Sequence, residues 1–340
     1  MTDYKTGDNP FATCTLLPEP ADRAEWLEQR KQGIGSSDAS VIMGLSTWQS
    51  PYSLWEQKTG RTPLDPPADA RTETLRRWGH LLEPVIREEA GNQLGWQPNV
   101  CGGLANRDTP WLRCNLDGYF NTPSGIALFE AKNTDSRNRN LWQNQIPDHA
   151  ELQVMHSMAV TGADRAFVAG LIGGNDLIIH EVIRNDRIID ILLEAETKFW
   201  EHVTNDTPPE IDGHHATLQA LTGAWPHNDG AREVDASEVT EIWESYQQAE
   251  ADLEDANRRK KDAQANLAAL MEGHDELRTG DRVWARTKRG RVNEKRLKAD
   301  HPDLYANYLE QTTKFNSQAF KVDHPDLYST HQYVSIQPTR

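Results

Sequence analysis

The stretch Leu112–Lys132, LRCNLDGYFNTPSGIALFEAK, constrains this chain more than any other. Two apolar runs, Leu116–Phe120 and Ile126–Lys132, flank Asn121-Thr122-Pro123-Ser124-Gly125, whose Pro and Gly punctuate a turn. The pattern predicts a β-hairpin with charge embedded in it. Side chains alternate across a strand, so Glu130 and Lys132 point the same way, and the partner strand can bring Asp117 alongside. Whatever the chain folds into must then supply partners for three charges on one face.

Asp, Glu and Lys are rarely buried alone, so charges on otherwise apolar strands call for a counter-ion, a metal or a substrate phosphate. Mg²⁺, with Mn²⁺ as a substitute, suits the carboxylates. A hard cation takes oxygen ligands, here Asp117, Glu130 and the Ala131 carbonyl, and keeps waters that can become nucleophiles. Lys132 would orient such a water or offset developing phosphate charge. The plainer alternative is an Asp in a strand-end turn and a Glu/Lys pair on a solvated strand.

Residues 1–21 are polar, contain Pro18 and Pro20, and are expected to be an arm without a fold of its own. Asp22-Arg23-Ala24-Glu25 predicts a capped helix carrying Trp26 and, near its end, Arg30. Gly33-Ile34-Gly35-Ser36-Ser37-Asp38 then runs into Ala39–Met43. Its amides and its Ser36 and Ser37 hydroxyls would lie at a helix N-terminus, an anion site or simply an ordinary cap. Trp48, Tyr52 and Trp55 are spaced for core packing, with base stacking as the alternative. Residues 74–95 are helical in pattern, Leu81, Leu82, Val85 and Ile86 forming an apolar side. Pro84 interrupts that run, and Glu83 beside it either reaches the metal or is solvated.

Residues 149–161 are expected to be a helix with Gln153 facing the cleft, as a partner of the metal water or phosphate, and with His156 structural. Residues 165–172 and 177–184 around Gly173-Gly174-Asn175-Asp176 predict a second hairpin extending the sheet, followed by an amphipathic helix over 185–203. The core is expected to span 22–213 and a linker 214–235. Over 236–273, Val239, Ile242, Tyr246, Ala249, Leu253, Ala256, Ala263, Leu267 and Leu270 mark a heptad seam broken only by Lys260. A small basic module over 274–340 holds Lys288-Arg289-Gly290-Arg291 and a duplicated element, Asp300–Tyr305 and Asp323–Tyr328, both DHPDLY.

Charge bears on what such a chain can bind. The formal net charge is -16, yet residues 281–340 carry eleven Lys and Arg against seven Asp and Glu, so the acidity belongs to the rest. That argues against indiscriminate coating of nucleic acid but allows a few aligned phosphate contacts in a channel. Three cysteines without C-x-x-C spacing argue against a structural zinc, an iron–sulfur cluster or a disulfide scaffold. The N-terminus lacks a secretory pattern and no apolar run could span a bilayer, so a cytoplasmic protein with no membrane partner is expected.

Asp117 followed by Glu130-Ala131-Lys132 resembles the PD-(D/E)XK nuclease core. With Trp26–Arg30, Gly33–Asp38, Trp78–Glu83 and Leu152–Met158 in that order, residues 22–213 resemble the YqaJ-like viral recombinase family, which includes phage lambda exonuclease. The resemblance implies a mixed central sheet flanked by helices. It implies a Mg²⁺-dependent 5′-to-3′ exonuclease on double-stranded DNA ends, leaving 3′ overhangs for a single-strand annealing protein, and a trimeric ring. By the same resemblance Arg30 and Ser37 hold a DNA 5′-phosphate, and Glu83 is a further active-site acid. The alternatives are an endonuclease of the same fold and a non-catalytic scaffold that binds DNA ends.

Overall fold

The computed structural model describes residues 9–65, 69–223, 231–287 and 322. They fall into two compact units, one reaching to Trp225 and the other starting at Pro226.

The first unit opens with β1 (Cys14–Leu16), which pairs antiparallel with Leu104–Asn106. The arm expected over residues 1–21 is therefore folded in part. Phe11 and Cys14 are buried, and removing that apolar surface from water favours docking over a free arm. In α1 (Arg23–Lys31) the Asp22 carboxylate accepts from the Glu25 amide at 2.9 Å, as the capping pattern predicts. The Gly33–Asp38 segment does not enter a long helix. A 3₁₀ turn over Ser36–Asp38 leads into α2 (Ala39–Ile42), too short to concentrate a helix dipole, so anion affinity there rests on side chains. In α3 (Pro51–Lys58) Trp55 is buried and Tyr52 tilts against it, with ring centroids 5.6 Å apart, whereas Trp48 is 86% exposed.

Helix α4 (Ala70–Leu94) is capped by Asp69 and stopped by Gly95 in the left-handed region. It continues through Pro84, contrary to the expected interruption. One backbone donor is lost there, while Ile86 and Ala90 are buried against the sheet just beyond. Leu81 and Val85, expected on the apolar side, are exposed.

Then follow β2 (Pro98–Asn99), β3 (Leu104–Asn106), β4 (Arg113–Cys114), β5 (Gly118–Thr122) and β6 (Gly125–Thr134). The β5–β6 hairpin has the expected antiparallel form, with Gly118 opposite Phe129 and Thr122 opposite Gly125. Helices α5 (Arg139–Trp142) and α6 (Asp148–Thr161) cross over to β7 (Arg165–Ile172), which lies parallel to β6. A turn through Gly173 and Gly174, both at positive φ, returns β8 (Asp176–Ile183) antiparallel. The main sheet runs β2-β5-β6-β7-β8, and β1-β3-β4 form a smaller one.

Alternation along β6 decides which helix meets which face. Ala127 and Phe129 join Phe120, Phe167 and Ala169 against Ile86 and Ala90 of α4. Leu128 faces the opposite way, into the core built on Met155 and Met158 of α6 and on Ile189 and Leu192 of α7 (Asp186–Thr204). Glu130 and Lys132 continue the Leu128 face toward α6.

The core does not close at residue 213. Within the expected linker, α8 (His215–Gly223) buries Ala216 and Thr217, and the Thr217 hydroxyl donates to Ser50 Oγ at 2.7 Å. In the second unit α9 (Ala236–Met271) carries the heptad seam, with Ile242, Leu253 and Leu270 exposed. Strands β9 (Glu276–Thr279) and β10 (Arg282–Arg286) form a hairpin. Lys288–Arg291 and both DHPDLY copies lie outside the described residues. No helix among the described residues is long and apolar enough to cross a membrane.

Candidate active site

The β5–β6 hairpin brings together the three charges that the sequence embeds in it. Asp117 ends the approach to β5, and its Oδ2 accepts from the Ala131 amide at 2.8 Å, so Ala131 meets Asp117 through its N–H. On β6, Glu130 and Lys132 share a face, and Lys132 Nζ donates to Glu130 Oε1 at 2.6 Å and to Gln153 Oε1 of α6 at 2.7 Å. Gln153 thus faces the cleft, but its oxygen is held by the lysine.

Glu83 enters from α4. Arg87, one turn later, donates to Glu83 Oε1 at 3.2 Å and also to the Asp117 carbonyl, clipping the helix to the start of β5. Gly118 makes that approach possible, since a Cβ there would stand 2.6 Å from Arg87 Cδ. The i, i+4 spacing of Glu83 and Arg87 is a sequence signal that could have singled out the arginine.

The carboxylates crowd one another. Burial, reinforced by the charge of Asp117 and less by Glu83, pushes Glu130 up to about 7 against the pull of Lys132. Burial also raises Asp117, although the Ala131 amide, Lys132, Arg87 and His80 oppose it. Glu83 is raised by burial and by Asp117. Burial works against the charge of Lys132, but Glu130 and Asp117 outweigh it and raise its pKa. The cluster therefore holds more negative charge than its cations offset.

Among the described residues no three His, Cys, Asp or Glu side chains are arranged to hold a metal ion by themselves. The donor set nevertheless fits a hard divalent cation. Asp117, Glu130 and Glu83 offer only carboxylate oxygens, their mutual repulsion is what such an ion relieves, and water and the Ala131 carbonyl can complete a shell.

The second group of expected residues gathers around Asp38. Arg30 lies 5.2 Å from the Trp26 ring centroid, and its Nη2 donates to Asp38 Oδ1 at 3.1 Å and to Ser37 Oγ at 3.3 Å. Ser36 is turned inward, sharing a 2.8 Å hydrogen bond with Ser157. Lys58, for which the sequence shows no motif, is almost fully buried and pairs with Asp38 Oδ2 at 2.6 Å. A cavity of about 770 Å³ is lined at once by Arg30, Ser36, Ser37, Lys58 and Arg113 and by His80, Asp117 and Gln153.

Other candidates resolve to structure. His156 is fully buried between Glu196 Oε1, at 2.7 Å, and the Arg113 carbonyl, at 2.8 Å. Arg137 and Arg139 are paired with Asp135 and Asp176. Cys14 and Cys114 are buried free thiols, pushed up by that burial.

Residues 25–164, which include all these site residues, match the description "YqaJ-like viral recombinase domain". By this match the segment is YqaJ-like. Over 301 residues, 85% of this chain and 92% of the relative, the protein is 28% identical to YqaJ of Bacillus subtilis (strain 168), itself uncharacterized. Among solved structures, an alkaline exonuclease from Laribacter hongkongensis is 15% identical with a TM-score of 0.46, the alignment covering 54% of this chain and 93% of that one. A phage-related exonuclease from Haemophilus somnus 129PT is 10% identical with a TM-score of 0.37, over 51% and 96%. The YqaJ-like domain is built on a mixed central sheet flanked by helices, with the acid-bearing hairpin near the middle of its strand order.

Proposed function

We propose that the YqaJ-like domain is a metal-dependent deoxyribonuclease that digests one strand of double-stranded DNA from its 5′ end, leaving a 3′ single strand for an annealing protein. The observation that carries this reading is the single cavity shared by Arg30 and Ser37 at one place and by Asp117 and Gln153 at another. A chain end held at the first is within the same enclosure as the hydrolytic cluster.

Asp117 and Glu130, with Glu83 in support, would hold Mg²⁺, or Mn²⁺ in its place, and the bound ion would polarise the scissile phosphate and lower the pKa of a water. The chain's own groups do the rest. The Ala131 amide fixes Asp117, and Gln153 and Glu130 fix the Lys132 ammonium from two sides. A cation so held can orient the attacking water and offset the charge gathering on the phosphate oxygens. Arg87 keeps Glu83 and the Asp117 backbone in register.

The test is digestion of linear duplex DNA, 5′-phosphorylated or 5′-hydroxyl, beside a closed circle, in Mg²⁺ or EDTA, by wild type and Lys132→Ala. Loss of the 5′-phosphorylated strand alone, dependent on Mg²⁺ and Lys132, is expected. Nicking of the circle would replace the exonuclease by an endonuclease, and intact DNA bound at its ends throughout would replace catalysis by a scaffold.

A further inference from the structure

The buried Asp38–Lys58 pair lies outside the catalytic cluster and is too fully bonded to take part in hydrolysis. Lys58 Nζ donates to the Arg30 carbonyl at 2.8 Å and to the Gly33 carbonyl at 2.7 Å, and pairs with Asp38 Oδ2 at 2.6 Å. An ammonium has three protons, and here each has an acceptor. Asp38 in turn accepts from the Gly35 amide at 3.0 Å and from Arg30 Nη2 at 3.1 Å. Lys58 and Asp38 therefore grip the Arg30–Asp38 segment at both ends, through the Arg30 carbonyl and guanidinium and through the Gly33–Gly35 backbone. The same segment is tied to the neighbouring strand, where the Ile34 amide donates to the Trp111 carbonyl at 2.7 Å and the Arg113 amide to the Ile34 carbonyl at 2.9 Å. Little freedom is left to the Arg30 head group, which is also stacked by Trp26.

Charge at this corner is unbalanced in the direction opposite to the catalytic cluster. Arg30, Lys58 and Arg113 line the same cavity, with Glu19 also on its wall and Asp38 paired to Arg30 and Lys58. Three cations against two carboxylates, Asp38 and Glu19, leave a positive surplus. A terminal phosphate monoester carries about 1.5 to 2 negative charges near neutral pH, whereas a phosphodiester inside a strand carries one. A rigid corner with a positive surplus favours the terminus, which offers it more negative charge than an internal linkage does.

We propose that Lys58 and Asp38 are positioning residues that make the Arg30–Ser37 corner selective for a 5′-terminal phosphate monoester. The inference rests on the exonuclease reading above. It adds that the preference for a phosphorylated end comes from a buried ion pair which need not touch the DNA. Arg30 and Ser37 supply the contacts, and the pair sets where they stand.

The test compares the full-length protein with the double variant Asp38→Asn/Lys58→Met, which removes both charges and so avoids stranding one of them. Arg30→Gln serves as a second, more exposed variant. Each digests the same duplex bearing a 5′-phosphate or a 5′-hydroxyl, and kcat and KM are obtained for both. Wild type is expected to favour the phosphate by about tenfold or more, the range of a few charge-assisted hydrogen bonds. Both variants are expected to lose most of that preference through KM. A double variant that keeps the preference and the hydroxyl-end rate overturns the assignment and leaves the nuclease standing. A wild type that cuts in a Lys132-dependent way without preference also overturns it, since there is then no phosphate corner to position. If the wild type cuts nothing, the exonuclease reading fails instead. Fluorescence anisotropy with the two duplexes then decides the inference by the same ratio, retained or lost. Should the double variant prove unfolded by circular dichroism, Arg30→Gln with unchanged preference overturns the inference by itself.

Discussion

Two buried lysine–carboxylate pairs lie within one domain core, both at 2.6 Å, and they differ in their surroundings. In the Asp38–Lys58 pair the side chains are 3% and 1% exposed, and the lysine has a full set of acceptors. Burial alone would raise Asp38, but Lys58 and Arg30 outweigh it and hold the carboxyl below its ordinary value. In the Glu130–Lys132 pair the lysine is 24% exposed, and the carboxylate is raised by its burial and by the crowding of Asp117 and, less, of Glu83. The first pair is electrostatically complete and serves to hold backbone. The second is short of positive charge, which suits the divalent cation proposed for it. Distance alone does not distinguish a structural ion pair from a reactive one; the count of remaining partners does.

The contrast is broken most severely by removing each lysine in turn. Lys132→Ala is expected to lower the rate of strand digestion by about 10²- to 10⁴-fold, with a cooperative unfolding transition retained in circular dichroism. Lys58→Met is expected to act on stability instead, costing about 3–5 kcal/mol in urea denaturation because Asp38 is left charged and buried. Asp38→Asn added to it should restore much of the loss. If Lys58→Met proved as stable as wild type, the claim that this pair holds the backbone would fail.

Acidity sharpens the same contrast, because the two carboxylates act in opposite directions. A raised Glu130 binds its proton more tightly folded than unfolded. Its contribution is present below the ordinary value of 4.5 and is lost as pH rises through about 7. Asp38, with a lowered pKa, contributes above its ordinary 3.8 and loses that contribution only as pH falls through the folded value. In EDTA, the stability difference between wild type and Glu130→Gln should therefore fall between pH 5 and pH 8, by up to about 3 kcal/mol. Equal slopes for the two proteins in urea titrations would show that Glu130 is not raised. The smallest effect concerns the clip between α4 and β5. Gly118→Ala must displace Arg87, and a cost of about 1–3 kcal/mol is expected, with a loss of activity that follows from moving Glu83.

Much of the site is legible in the chain because it is local. Glu130 and Lys132 share a face by the two-residue period of a strand, and a Pro-Gly turn at the right length brings Asp117 beside them. The cap at Asp22 and the Gly-Gly hairpin at Gly173 follow from single-residue chemistry in the same way. Lys58 was not legible, since it ends an ordinary helix and meets Asp38 only after two elements pack. Nor was the docking of Phe11 and Cys14, or of α8 on Ser50. Those depend on apolar surface and hydroxyl partners that another part of the chain provides.

The sequence by itself determined the hairpin, its three charges and the helix carrying Gln153, because backbone periodicity and turn chemistry act over a few residues. Only the tertiary structure decided which charges are satisfied. It placed Gln153 on Lys132, set Arg87 between Glu83 and the Asp117 backbone, and joined Arg30 and Asp117 in one cavity. The reason is physical: the energy of a buried charge depends on every dipole and ion brought near it by folding, and chain order does not specify that neighbourhood.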